Sequence, residues 1–148
     1  MEFNDTRLLQ FFQNFKKYHA CCFAPLAEET GLSMRELQVL LFLINNPGYD
    51  TARDITVLRG ISKSQVSQAV DLLWAEGLLD RTPDSADRRI VHLSITEAGL
   101  PVARRAQEVQ NACGVSLLSG LSADETAQLF ALVDRVVCNT EALAGEAE

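Results

Sequence analysis

Residues 60–96 read GISKSQVSQAVDLLWAEGLLDRTPDSADRRIVHLSIT. The spacing of apolar residues changes inside this stretch, and that change decides the fold. From Ser62 to Glu76 they recur at three- and four-residue steps. On a wheel of ~100° per residue, Val66, Ala69, Val70 and Leu73 share one face. Ser64, Ser67, Gln68 and Asp71 share the opposite one. Ser62 followed three residues on by Gln65 is a capping-box signature, and Gly77 suits the helix end. Beyond it the period drops to two. LLDRT (78–82) and IVHLSI (90–95) read as strands, with Val91, Leu93 and Ile95 alternating against Ile90, His92 and Ser94; His92, on the side away from Val91 and Leu93, reads as a plain exposed residue. The turn-rich PDSADRR between them predicts a hairpin with a projecting loop.

The neighbouring segments extend the pattern. TARDITVL (51–58) predicts a short helix capped by Thr51, and a tight GIS turn joins it to the helix at 62–76. SMRE (33–36) is another capping box, Ser33 with Glu36, opening a helix that carries Leu37, Leu40, Leu41 and Ile44 and stops at NNPG (45–48). Upstream, residues 5–29 place Leu8, Phe12, Phe15, His19, Cys22 and Leu26 on one helical stripe, and Gly31 suits its C-cap. Downstream, Thr96 caps a helix over 97–118, where Pro101 predicts a late start or a kink because it has no N–H to donate. LSADE (121–125) opens a last helix stacking Leu129, Leu132, Val133, Val136 and Val137. The expected architecture is mainly α (α+β), one domain over 1–148. A winged helix-turn-helix at 33–95 lies between terminal helices at 5–30 and 97–143.

The chain carries 13 Lys+Arg against 20 Asp+Glu, a net charge of −7. So acidic a balance opposes phosphate contact in bulk. Its distribution matters more: residues 50–92 sum to −1 and the remainder to −6. A near-neutral segment can still present a positive face. No apolar run approaches the ~18 residues of a membrane span, and the N-terminus lacks the basic start and apolar core of a secretory signal. A cytoplasmic location is expected. Cys21, Cys22, Cys113 and Cys138 are expected as free thiols, since adjacent Cys21 and Cys22 match no zinc spacing. No metal site and no cofactor are expected.

The helix opened by Ser62 presents Lys63, Ser64, Gln65, Ser67 and Gln68 near its N-terminal end. All can hydrogen-bond, and none is bulky enough to block the DNA major groove; Gln can bond adenine bidentately, and Lys a phosphate or guanine. The helix N-terminus adds N–H groups for phosphate. On the hairpin tip, Arg88 and Arg89 suit the narrow minor groove, and Asp87 is placed to preset their geometry. The alternative for each is a solvated polar face and a weak surface ion pair.

LSMRELQVLLFL, GISKSQVSQAVDLLWAEGLLDR and DSADRRIVHLSITEAG together resemble the MarR-type family, the multiple-antibiotic-resistance regulators. The wing carries the resemblance most specifically, through Asp87, Arg88, Arg89, Leu93, Ile95, Thr96 and Gly99. It extends over residues 8–143. The resemblance implies a homodimer whose terminal helices interlock, with two winged helices reading a pseudopalindromic operator in double-stranded DNA. Phe11, Phe12, Phe15 and Phe23, four of the seven Phe, lie in the first helix, and such apolar faces suit an oligomer. Asp71 on the exposed face and Pro101 depart from the expected pattern.

Members of the family respond to small phenolic or lipophilic ligands, oxidants or metals. Tyr18, His19, Cys21 and Cys22 are the candidates here for an effector or thiol site, against the alternative of plain packing. Two histidines are too few for a zinc sensor. The expectation is therefore a ligand-responsive repressor. The competing function is a winged-helix module that binds protein without DNA. No Ser/His/Asp set, Gly-rich phosphate loop or carboxylate pair points to an enzyme.

Overall fold

The computed structural model describes residues 4–145. They form two units, and the boundary falls within the fifth helix, between Cys113 and Gly114. The first unit runs α1 (Thr6–Thr30), α2 (Met34–Asn45), α3 (Ala52–Arg59), α4 (Lys63–Ala75), β1 (Leu79–Pro83), β2 (Val91–Ile95) and most of α5 (Gly99–Leu117). The second holds the end of α5 and α6 (Ala123–Gly145). Among the described residues no helix is long and apolar enough to cross a membrane.

The core of the first unit is built on α2, whose Leu37, Val39 and Leu40 are wholly buried. This helix packs against α1, α4 and β2. The face of α4 expected to be apolar, Val66, Ala69, Val70 and Leu73, is buried throughout. Each full-sized aliphatic side chain here contributes about 1.5–3 kcal/mol by leaving water. Ser33 caps α2 as expected: its N–H donates to Glu36 Oε2 at 2.6 Å, and Glu36 N–H donates to its hydroxyl at 3.5 Å. That exchange satisfies Glu36, a buried carboxylate.

Three local expectations change. Ser62 accepts from Gln65 N–H at 3.3 Å, but no reciprocal bond forms, so α4 has half a capping box. The full box occurs on α3 instead, between Thr51 and Asp54. On α1, Phe23 and Leu26 are buried, whereas Leu8, Phe11, Phe12 and Phe15 stay exposed. The helix is longer than the core it packs on, and Phe23 belongs to that core rather than to an outer face.

The hairpin pairs Leu79 with Ile95 through Pro83 with Val91, so β1 starts and ends one residue later than the sequence suggested, while β2 starts one residue later and ends at Ile95 as expected. Its base is locked to α5 by Thr96. The Thr96 N–H donates to Leu78 O at 3.1 Å, its hydroxyl donates to Gly77 O at 2.6 Å, and that hydroxyl accepts from Gly99 N–H at 3.0 Å. Regular helix then begins at Gly99. The expected late start is observed, because Pro101 has no N–H for the carbonyl four residues back.

In the second unit, Ser122 and Glu125 exchange capping bonds at 2.7 and 3.2 Å and open α6. Its Leu129, Leu132, Val133, Val136 and Val137 are all exposed.

Candidate nucleic-acid interface and adjoining cavity

The recognition face follows from how α4 is seated. Its apolar side is consumed by the core, so Lys63, Ser64, Gln65, Ser67 and Gln68 have no choice but to face outward, and all five are exposed. Gly60, in the left-handed conformation at φ 61°, turns the chain sharply between α3 and α4. Asp71, awkward on a phosphate-facing surface, pairs with Arg81 of β1. The same guanidinium lies 5.0 Å from the centre of the Trp74 ring. The acid is thus neutralised by a cation from the hairpin.

The wing turn is shaped by aspartates. Asp84 Oδ1 accepts from Ala86 N–H and Asp87 N–H, both at 2.8 Å. These bonds, with a further one to His92, hold its carboxyl down to about 2. Asp87 Oδ1 accepts from Arg89 N–H at 3.0 Å, so it fixes the backbone of Arg89 rather than its guanidinium. Backbone bonds between Asp84 and Ile90 and between Ile90 and Asp87, each 2.9 Å, close the loop. Arg88 and Arg89 on it are exposed. Among the described residues neither forms an ion pair.

His92 is not the plain exposed residue the sequence suggested. Its ring bridges Asp50 and Asp84, from Nδ1 at 2.8 Å and Nε2 at 3.0 Å. The Asp50 bond first, then the Asp84 bond, raise its pKa above the usual 6.5. Nothing in local sequence marks this bridge, because Asp50 lies 42 residues away.

Also within the first unit, α1, α2, the α3–α4 turn and Gln110 of α5 border an open cavity of about 790 Å³. Phe12, Phe15 and Ile61 give it apolar walls, and Lys16, His19, Arg35 and Arg59 line it with cationic groups. Among the described residues no Asp or Glu lines it. Burial, then the charge of Arg59, pushes the His19 pKa down, and burial, then Arg35, pushes Arg59 down. Like charges are crowded there with no acidic side chain among the described lining residues. The rings of Phe11, Phe15, His19 and Phe23 stack in sequence along α1, with centroids 4.6 to 6.0 Å apart.

Of the four effector or thiol candidates, only His19 lines this cavity. Tyr18 OH donates to Cys113 O at 3.5 Å, Cys21 is exposed, and Cys22 is half-buried. All four cysteines are free thiols. Burial, then Cys22 beside it, pushes the Cys113 thiol up and makes it less reactive. Among the described residues no group of three or more His, Cys, Asp or Glu could hold a metal ion. Lys16, Arg35 and Arg59 escaped the sequence reading, since each alone looks like a solvated helix cation.

Residues 30–90 match the sequence model of the MarR family. Among solved structures, the transcriptional regulator PcaV from Streptomyces coelicolor, in complex with its natural ligand, is 28% identical; the match covers 93% of this chain and 96% of that one, with a TM-score of 0.69. BpsR of Bordetella bronchiseptica, whose DNA binding is regulated by 6-hydroxynicotinic acid, is 21% identical over 88% of this chain and 98% of its own, at TM-score 0.70. A MarR transcriptional regulator from Methanosarcina mazei Go1 is 18% identical over 92% and 97% respectively, at TM-score 0.78. The likenesses to the latter two speak for the fold.

Proposed function

We propose that the chain, which matches the MarR family over residues 30–90, is a cytoplasmic, DNA-binding transcriptional regulator of that family that works as a homodimer. One observation carries the reading: the acids near the reading surface are already engaged, and its outward cations are not. Asp71 is taken by Arg81, and Asp84 by two turn amides and His92. Lys63 at the start of α4 and Arg88 and Arg89 on the wing stand exposed. Lys63 and the first N–H groups of α4 meet phosphate; Ser64, Gln65, Ser67 and Gln68 address base edges; the wing arginines enter the adjacent minor groove. Local arrangement thus overcomes a net charge of −7.

Dimerisation is supported by two apolar rows left open. One is Leu8, Phe11, Phe12 and Phe15 on α1; the other is Leu129, Leu132, Val133, Val136 and Val137 on α6. Exposed rows of this length are unusual in a monomer. Pairing also doubles the electrostatic contact and lets two half-sites bind as one.

The cavity supports control by a small aromatic acid. Its carboxylate supplies the missing counter-charge to Arg35, Arg59 and Lys16, and its ring packs on Phe12 and Phe15. The ligand shifts a two-state equilibrium away from the spacing that fits DNA, so occupancy relieves repression by steric occlusion of the promoter. Selection of genomic fragments by the purified protein, followed by footprinting, tests this reading. Two inverted half-sites about one helical turn apart, ~34 Å, are expected. Absence of any enriched fragment overturns it.

A further inference from the structure

Asp50, His92 and Asp84 form a cluster that neither groove contact nor the cavity requires. His92 Nδ1 lies 2.8 Å from Asp50 Oδ1, and Nε2 lies 3.0 Å from Asp84 Oδ2. Ionised carboxylates only accept hydrogen bonds, so both ring nitrogens must donate, and only the imidazolium can do that. Both acids sit on well-anchored backbone. The Asp50 carbonyl accepts from Leu93 N–H at 2.7 Å, and Thr51 forms a β-bridge with His92. Asp84 spends its other oxygen on the amides that shape the turn behind Arg88 and Arg89.

We propose that His92 is a positioning residue: its protonated ring clamps the wing turn to the loop that opens α3, so that DNA affinity follows the charge on this one imidazole. The proposal rests on the DNA-binding reading above. A neutral ring would turn a lone pair toward one of the two carboxylates and release that side of the clamp. The wing arginines would then have to be ordered on binding, which weakens association.

The charges facing the ring are few. Asp50 comes from the α2–α3 loop and Asp84 from the wing. The first turn of α3 brings Arg53 and Asp54, but Asp54 is engaged by the Thr51 N–H and hydroxyl at 3.0 and 2.7 Å. The cross-strand partner on β1 is uncharged Thr82. Helix α2, packed against β2, carries its only charges, Arg35 and Glu36, in its first turn. The sign follows from the partners: they favour the cation, so the clamp is closed below the ordinary imidazole value of 6.5 and opens as pH rises through the raised one.

Two measurements on the full chain test this. The first is nitrogen NMR of the histidine rings, free of DNA, across pH. Both His92 nitrogens should stay protonated above pH 6.5; a neutral tautomer at that pH overturns the proposal. The second is anisotropy with a labelled mixed-sequence duplex at fixed salt, from about pH 6 to about pH 9. Exposed contacts of this kind are each worth up to about fivefold, so wild-type affinity should fall about fivefold across that range relative to His92→Gln. His92→Gln should be weak and insensitive to pH over the same range. A wild-type pH dependence that survives in His92→Gln overturns the clamp while leaving DNA binding intact. Failure of the wild type to bind any duplex at any pH overturns the DNA reading and this proposal together.

Discussion

Gly99 opens α5 directly against the base of the hairpin. A methyl group added there would lie 2.2 Å from the Leu78 carbonyl oxygen and 3.0 Å from Ile95 Cγ2. The carbonyl cannot retreat freely, because it accepts the Thr96 N–H at 3.1 Å, and Thr96 in turn ties Gly77 to Gly99. Overpacking of this kind costs about 1–3 kcal/mol, and disturbing the Thr96 bond adds about 1. Better helix propensity returns part of that, less than ~1 kcal/mol at a first-turn position. Gly99→Ala should therefore lose about 2–3 kcal/mol, or about 4–12 °C in Tm for a chain of this length. Urea unfolding at one fixed protein concentration measures it, since a dimer's midpoint moves with concentration. Gly114→Ala is the internal control. Its added carbon meets nothing within 4 Å inside the same helix, so a gain of about 0.5–1 kcal/mol is expected. A loss below ~0.5 kcal/mol at Gly99 would refute the claim that close backbone approach dictates this glycine.

Three further outcomes are expected. Arg89→Ala should weaken operator binding by about 1–3 kcal/mol with the dimer intact by sedimentation, and unchanged affinity would remove the wing from recognition. Asp84, held down to about 2, lends order to the turn that is present above its ordinary value of 3.8 and lost as pH falls through about 2. Protection of the Ala86 and Asp87 amides should consequently persist in acid until that point, and its loss near pH 4 would contradict the assignment. Arg59→Gln should weaken binding of a test aromatic carboxylate more than tenfold, read by calorimetry, and leave DNA affinity without ligand unchanged; equal loss of both would place Arg59 in the fold rather than in the effector site.

The winged helix-turn-helix was legible because local rules set it. The buried face of α4, the cap at Ser33 and the hairpin each follow from residues within one element. Pro101 was legible for the same reason, since one missing N–H acts within one turn. The failures share the opposite origin. His92 looked exposed because Asp50 and Asp84 reach it across the fold. Asp71 looked disruptive because Arg81, ten residues on, was not visibly its partner. The cationic cavity draws Lys16, Arg35 and Arg59 from three separate helices, so no spacing could announce it. On α1, periodicity showed that an apolar stripe exists but not where the first unit's core stops covering it. Side chains that act within a turn of helix can be read in order; those that meet in space cannot.

The most direct test of the account is the salt dependence of DNA affinity for the purified protein. If the protein pairs as proposed, two wings with paired arginines and two α4 N-termini should displace at least four counterions, so log affinity should fall against log salt with a slope of about −4 or steeper. Arg88→Ala with Arg89→Ala should flatten that slope. A wild-type slope near zero, or one unaffected by losing both arginines, would contradict the account.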